Sequence, residues 1–122
     1  MVERIDRPHR LTTTRDWARM RGGGNATRGR HVLVVTVPVP GDPTRVGFVA
    51  SRRGVGNAVQ RNRARRRIRE IVRRRWDRMP HEGLLIMLVA SRTALTAAHQ
   101  DLASDIERVL ITAGALAPPE IV

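Results

Sequence analysis

Residues 59–79 read VQRNRARRRIREIVRRRWDRM, and the arrangement of the whole chain follows from that stretch. Ala64, Ile68, Ile71, Val72, Trp76 and Met79 recur at the i, i+4, i+7, i+8 spacing of one helix face. The positions between them carry Arg63, Arg66, Arg67, Arg69, Arg73 and Arg74, opposed only by Glu70 and Asp77. Such a helix rests one side on a core and presents a dense positive field from the other. A polyphosphate is the natural receiver of that field, so the pattern points to nucleic acid. Arg61 and Arg65 add a detail. At about 100° per residue they fall at the angles of the apolar stripe, before it becomes continuous. An unpaired buried charge costs many kcal/mol. The first turns are therefore expected to overhang the core and face an open groove.

The 122 residues suit a single domain, and 41% hydrophobic content suffices for a modest core. With aromatics at 2%, that core must be aliphatic. A formal charge of +12 opposes compaction by self-repulsion, which a polyanionic partner relieves. Every basic side chain is Arg and none is Lys. The guanidinium fork suits bidentate phosphate contacts, but a GC-rich genome gives the same bias and accounts for it better. The lack of cysteine excludes disulfides and thiolate zinc sites. Nothing near the start resembles the apolar core of a signal peptide. The longest apolar run, residues 83–90, is far short of the ~20 needed to cross a bilayer. A soluble, cytoplasmic protein is expected, with no membrane partner and no obligate protein partner.

Residues 1–10 are charged and aperiodic and read as a flexible basic arm; 11–116 form the domain, and 117–122 a short tail. Thr13 and Asp16 make a capping-box-like start for a short helix that ends at Gly22, Gly23 and Gly24. Residues 31–38, with the β-branched run VLVVTV, read as a strand. Pro40, Gly41, Asp42 and Pro43 read as a turn, and RVGFVAS at 45–51 as a second strand, so an antiparallel hairpin is expected. Arg52, Arg53, Gly54, Val55, Gly56 and Asn57 form a basic loop feeding the long helix. GLLIMLVA at 83–90 is apolar on both alternating faces, the mark of a strand covered on both sides. Thr96 is expected to cap a last helix with the stripe Leu102, Ala103, Ile106, Val109, Leu110 and Ala113, ending at Gly114. The fold class is α+β: a small mixed sheet packed with three helices, in the order α-β-β-(β)-α-β-α.

The stretch 45–70, RVGFVASRRGVGNAVQRNRARRRIRE, carries more than charge. It runs from a V-G-x-x-x-S strand end through the Arg52, Arg53 pair to G-N-A-V at 56–59 and R-N-R at 61–63. This ordered set closely resembles the bacterial ribonuclease P protein component family. That family supplies the small basic subunit of the ribonucleoprotein that trims the 5′ leader from precursor tRNA. The resemblance covers residues 11–114 in element order and length. It implies a left-handed β-α-β crossover, whereas ~98% of such crossovers are right-handed. It implies as partners the catalytic RNA subunit and precursor tRNA, with Mg²⁺ required by the holoenzyme and none assigned to the protein.

The physical reading of the matched positions agrees with the resemblance. Gly56 permits a tight entry and Asn57 can cap the helix, whose N-terminus offers free N–H donors to phosphate. Arg61, Arg63 and Arg65 add fork-shaped donors, and Asn62 can donate and accept at a ribose or phosphate, or simply hold the loop. By resemblance Arg52, Arg53, Asn57, Arg61, Asn62, Arg63, Arg65, Arg66 and Arg69 contact the catalytic RNA. By resemblance, too, a cleft between sheet and first helix binds the precursor leader, at Trp17, Val34 and Phe48. Here the chain departs from the family. The aromatic often found one turn after Trp17 is replaced by Met20 or Arg21, and Val34 and Val35 stand where an aromatic is common. Trp17 reads equally well as a core anchor of the first helix.

No catalytic residue is expected in the protein itself. His9, His31, His81 and His99 fall in separate elements, and no acidic pair is set as a two-metal nuclease requires. By resemblance the RNA performs the chemistry. Three rival readings are an arginine-rich ribosomal protein, a helix-turn-helix DNA binder, and a basic amphipathic helix on an anionic membrane. The strands, and the lack of a short helix packed before the basic one, count against the second. A thin apolar face counts against the third.

Overall fold

The structure, a computed structural model, describes residues 4–119. Its elements are α1 (Thr14–Arg21), β1 (Asn25–Arg28), β2 (Val32–Pro43), β3 (Arg45–Val49), α2 (Ala58–Arg73), β4 (Glu82–Ala90) and α3 (His99–Thr112). Single 3₁₀ turns lie at Arg7–His9, Trp76–Arg78 and Arg92–Leu95. The four strands form one sheet in the order β1-β2-β4-β3. β2 is antiparallel to both β1 and β4, and β3 is parallel to β4. The α+β class with three helices on a mixed sheet is as expected.

The hairpin is not. β2 and β3, consecutive in sequence, are separated by β4, which pairs with both. The cause lies in β4 itself. A strand apolar on both faces gains most from a central place, with neighbours on each side and layers above and below. β2 also carries Pro38, Pro40 and Pro43, which donate no ladder hydrogen bond, and its pairing slips between Val39 and Pro43. The third strand that the expected order allows before the long helix is β1; NATR shows no apolar alternation to mark its place, and it is a polar edge strand.

α2 and α3 cover one face of the sheet and α1 the other. Ala64, Ile68, Ile71 and Val72 of α2 are buried against Val34, Ile86 and Leu88 of the sheet and Leu102, Ile106 and Leu110 of α3. Complete burial of a side chain such as Ile68 contributes roughly 1.5–3 kcal/mol. The helix stops at Arg73, and Trp76 and Met79 extend its stripe from the following 3₁₀ turn. α1 seats Met20 in a smaller cluster with Leu11, Val39 and Leu85.

Two further expectations need correction. Residues 5–10 are no loose arm: Ile5 is buried in the main core and Arg10 forms a bridge with Val46. His9 Nδ1 lies 2.7 Å from the Thr44 carbonyl oxygen, and its ring meets Trp76 edge-on. The first three residues of that supposed arm, and the last three of the supposed tail, lie outside the described residues. Thr96 does not cap α3. It closes the Arg92–Leu95 turn, and α3 starts at His99 after Ala98, with no side-chain cap. The Arg67 guanidinium donates to the carbonyls of Ala94 and Ala97, both at 2.6 Å, and so secures this turn from α2.

Candidate nucleic-acid interface

The first surface is built around the entry to α2. Asn57 Oδ1 accepts from the Gln60 N–H and Gln60 Oε1 from the Asn57 N–H, both at 2.9 Å, a complete capping box. Gly56 precedes it at φ +141°, and a Cβ there would lie 2.0 Å from Gln60 Oε1. Glycine is therefore required. The loop before it is pinned by buried Val55 and by Ser51, whose Oγ accepts from the Gly54 N–H at 2.8 Å. Arg52 and Arg53 are held exposed on that loop.

Along α2 the arginines divide into two groups. Arg73 and Arg74 pair with Glu70, and their hydrogen bonds lower its carboxyl to about 2. Arg75 and Arg78 pair with Glu107 of α3; chiefly the Arg78 hydrogen bond, against burial, holds its carboxyl below the ordinary range. Arg67 is spent on carbonyls. Among the described residues Arg52, Arg53, Arg61, Arg63, Arg65, Arg66 and Arg69 form no ion pair. Arg63, Arg66, Arg69 and Asn62 are exposed. Arg61 and Arg65 are half-buried instead of fully overhanging; Arg65 donates to Asn62 Oδ1, and Arg61 Nε is enclosed without a partner.

The second surface is the sheet face beside α1. Trp17 lines a cleft of about 440 Å³ at the β3 edge with Arg10, Leu11 and Gly47; Phe48 reaches the same cleft round that edge from the opposite sheet face, where it packs against the main core. Arg69 belongs here as well: its guanidinium lies 5.6 Å from the Phe48 ring centre, so it joins the two surfaces. A Cβ on Gly47 would lie 3.0 Å from the Trp17 ring and 2.9 Å from Leu11. The indole thus rests directly on the strand backbone, both a cleft wall and part of the small cluster under α1.

Val34 is not in this cleft. It is fully buried on the opposite face, in the main core. Strand side chains alternate, so a displacement of one residue exchanges the two faces. Half-buried residues on the α1 face include Leu33, Val35 and Val37 of β2, Met87 and Val89 of β4, and Val49 of β3. Exposed Arg28 of β1 stands opposite Leu33 at the far edge. The alternation in β2 carries this signal, but only once α1 is known to lie on that side.

An ion cluster ties α1 down. Asp16, 3% exposed, accepts from Arg45 Nε at 2.5 Å and Arg45 Nη2 at 2.9 Å. Arg19 reaches Asp42 at 3.7 Å, and Arg45 reaches Asp42 at 3.8 Å. The Arg45 hydrogen bond, against the cost of burial, keeps the Asp16 carboxyl below the ordinary range.

Comparison with known proteins agrees with this geometry. The family model described as Ribonuclease P matches residues 5–114. A ribonuclease P protein component from Nocardioides sp. is 43% identical over 91 residues, covering 71% of this chain and 76% of the relative. One from Symbiobacterium thermophilum is 39% identical over 107 residues, covering 88% and 89%. Among solved structures, the Staphylococcus aureus RNase P protein superposes with a TM-score of 0.76 at 24% identity, over 89% of this chain and 98% of that one. It carries the same fold. With a family match over nearly its whole length and relatives this similar, the chain belongs to the ribonuclease P protein family, the protein component of an endoribonuclease complex that processes tRNA 5′ ends.

Proposed function

We propose that the protein grips the catalytic RNA of ribonuclease P with the start of α2 and the preceding loop, and lays the precursor tRNA 5′ leader along the sheet face beside α1. The division of the arginines carries this reading. Carboxylates neutralise the far end of α2, while Arg52, Arg53, Arg61, Arg63 and Arg66 are left for a partner. Asn57 and Asn62 supply polar contacts at the same place. Bidentate guanidinium contacts and a helix N-terminus suit the ribose-phosphate backbone. On the second surface Trp17 offers a stacking face, Leu33, Val35 and Val89 an aliphatic floor, and Arg28 and Arg69 cationic rims.

The protein's contribution to catalysis is then to improve binding of substrate and Mg²⁺, while the RNA performs hydrolysis. Among the described residues no three His, Cys, Asp or Glu side chains gather as a metal-binding group. No step is assigned to a metal on the protein. No helix of the described residues is long and apolar enough to cross a membrane, and a cytoplasmic location fits the proposed RNA partners. Reconstitution tests the reading. Added to a bacterial ribonuclease P RNA at low Mg²⁺, the protein should restore cleavage of precursor tRNA. Absence of rescue, with the protein instead cosedimenting with ribosomes, would favour a structural ribosomal binder.

A further inference from the structure

We propose that the buried Asp16–Arg45 pair is a positioning device, setting where Trp17 stands over the sheet and hence the width of the leader groove. The inference rests on the proposed leader reading and concerns residues outside the groove itself. α1 has eight residues, of which only Asp16 and Met20 are buried. A helix so short is marginal by itself, and its apolar seat is small. Its placement therefore depends on the fork from Arg45, whose two hydrogen bonds at 2.5 and 2.9 Å fix both distance and rotation. Arg45 sits on the same sheet face as Gly47 and Val49, at the start of the edge strand that forms the cleft. Thr13 Oγ1 accepts from the Asp16 N–H at 3.1 Å, and Arg19 with Asp42 closes the cluster from the next turn.

Trp17 is the next residue, and its ring already rests on the Gly47 backbone. A shift of α1 therefore moves the stacking face directly. Stability alone does not require the pair, because a well-packed apolar substitute for a buried ion pair is often neutral or better. What an apolar pair lacks is the directional fork.

The test uses the reconstituted holoenzyme carrying the double replacement Asp16→Leu with Arg45→Met, and separately Arg45→Lys, which keeps the charge without the fork. Each is assayed on precursor tRNA with a long leader and with a truncated one. For the double variant, KM on the long leader should rise roughly threefold to tenfold, the scale of weakened base stacking. Its kcat, its KM on the truncated leader, its thermal midpoint and its affinity for the catalytic RNA should match the parent. Arg45→Lys should fall between the two, and it carries the test alone if the double variant fails to fold. A folded variant with parental KM on the long leader overturns the proposal, as does an equal rise on both substrates. A parent that shows no preference for the long leader overturns the leader reading itself, and this inference with it.

Discussion

Arg61 and Arg63 stand on the same turn of α2 in different surroundings, one half-buried and one exposed, and neither has a carboxylate partner. Removing them leaves no counter-charge stranded. Replacing both with Ala should weaken binding to the catalytic RNA about tenfold or more at moderate salt, with unfolding unchanged. The slope of log affinity against log salt should also flatten by on the order of one to two, since fewer counterions are released. Filter binding across a salt series reads both, and an unaltered slope would place the phosphate contacts elsewhere. Asp105 is the structural counterpart. Its two oxygens accept from the Arg30 and His31 N–H groups at 2.9 and 2.8 Å, and Arg108 adds a third bond at 2.7 Å. Asp105→Ala would leave two backbone donors without an acceptor, costing about 2 kcal/mol in denaturant unfolding, while RNA affinity per folded molecule stays the same.

At the scale of elements, α2 was legible because charge and apolar period occupy different angles of one helix. Its stripe, from Ala64 to Val72, is buried as its spacing predicts. Its cap was legible too. Asn57→Ala should cost about 1 kcal/mol and loosen the helix entry, so hydrogen exchange at Gln60 and Arg61 should quicken before that of the rest of α2. The pairing of β2 with β3 was not legible from neighbouring residues. Adjacent strands with a Pro-Gly-Asp-Pro corner read as a hairpin, and only the two-faced apolar pattern of 83–90 argues for a strand between them. Val34 was misplaced for a related reason. Both Val34 and Val35 suit a strand, and nothing local says which face looks towards α1. The N-terminal residues misled by composition, since Ile5 and His9 reach their partners across the chain and not along it.

For the whole molecule, the carboxylates act together as acid-sensitive ties. Asp16, Glu70, Asp105 and Glu107 are each lowered from their ordinary values. At Asp105 burial pushes upward, but the Arg30 and His31 N–H groups and Arg108 outweigh it. A carboxyl lowered by folding binds fewer protons in the native state than in the unfolded chain. Its stabilisation is therefore complete above the ordinary carboxylate range and lost as pH falls through the folded value. For Glu70 that window runs from 4.5 down to about 2, although its exposure makes the pair worth little. The buried Asp16 and Asp105 carry more. The thermal midpoint should drop steadily as pH is lowered below about 5, and Asp16→Asn should shallow that slope. A midpoint flat across this range would show the ties to be energetically idle.

The place of β4 also bears on how the chain is made. One of the two inner strands is the last in sequence, so β3 has no strand to pair with, only the single Arg10–Val46 bridge, until residues 82–90 have been synthesised. Pairings that wait for distant segments form slowly. Until then the apolar sides of β2 and β3 stand open on a chain with a surplus of arginine. A product ending before Glu82 should be digested by protease as readily as an unfolded peptide, whereas one reaching Gly114 should resist. The surface proposed to grip RNA therefore cannot be complete until β4 and α3 have been made, which ties assembly of the ribonucleoprotein to chains that extend through both.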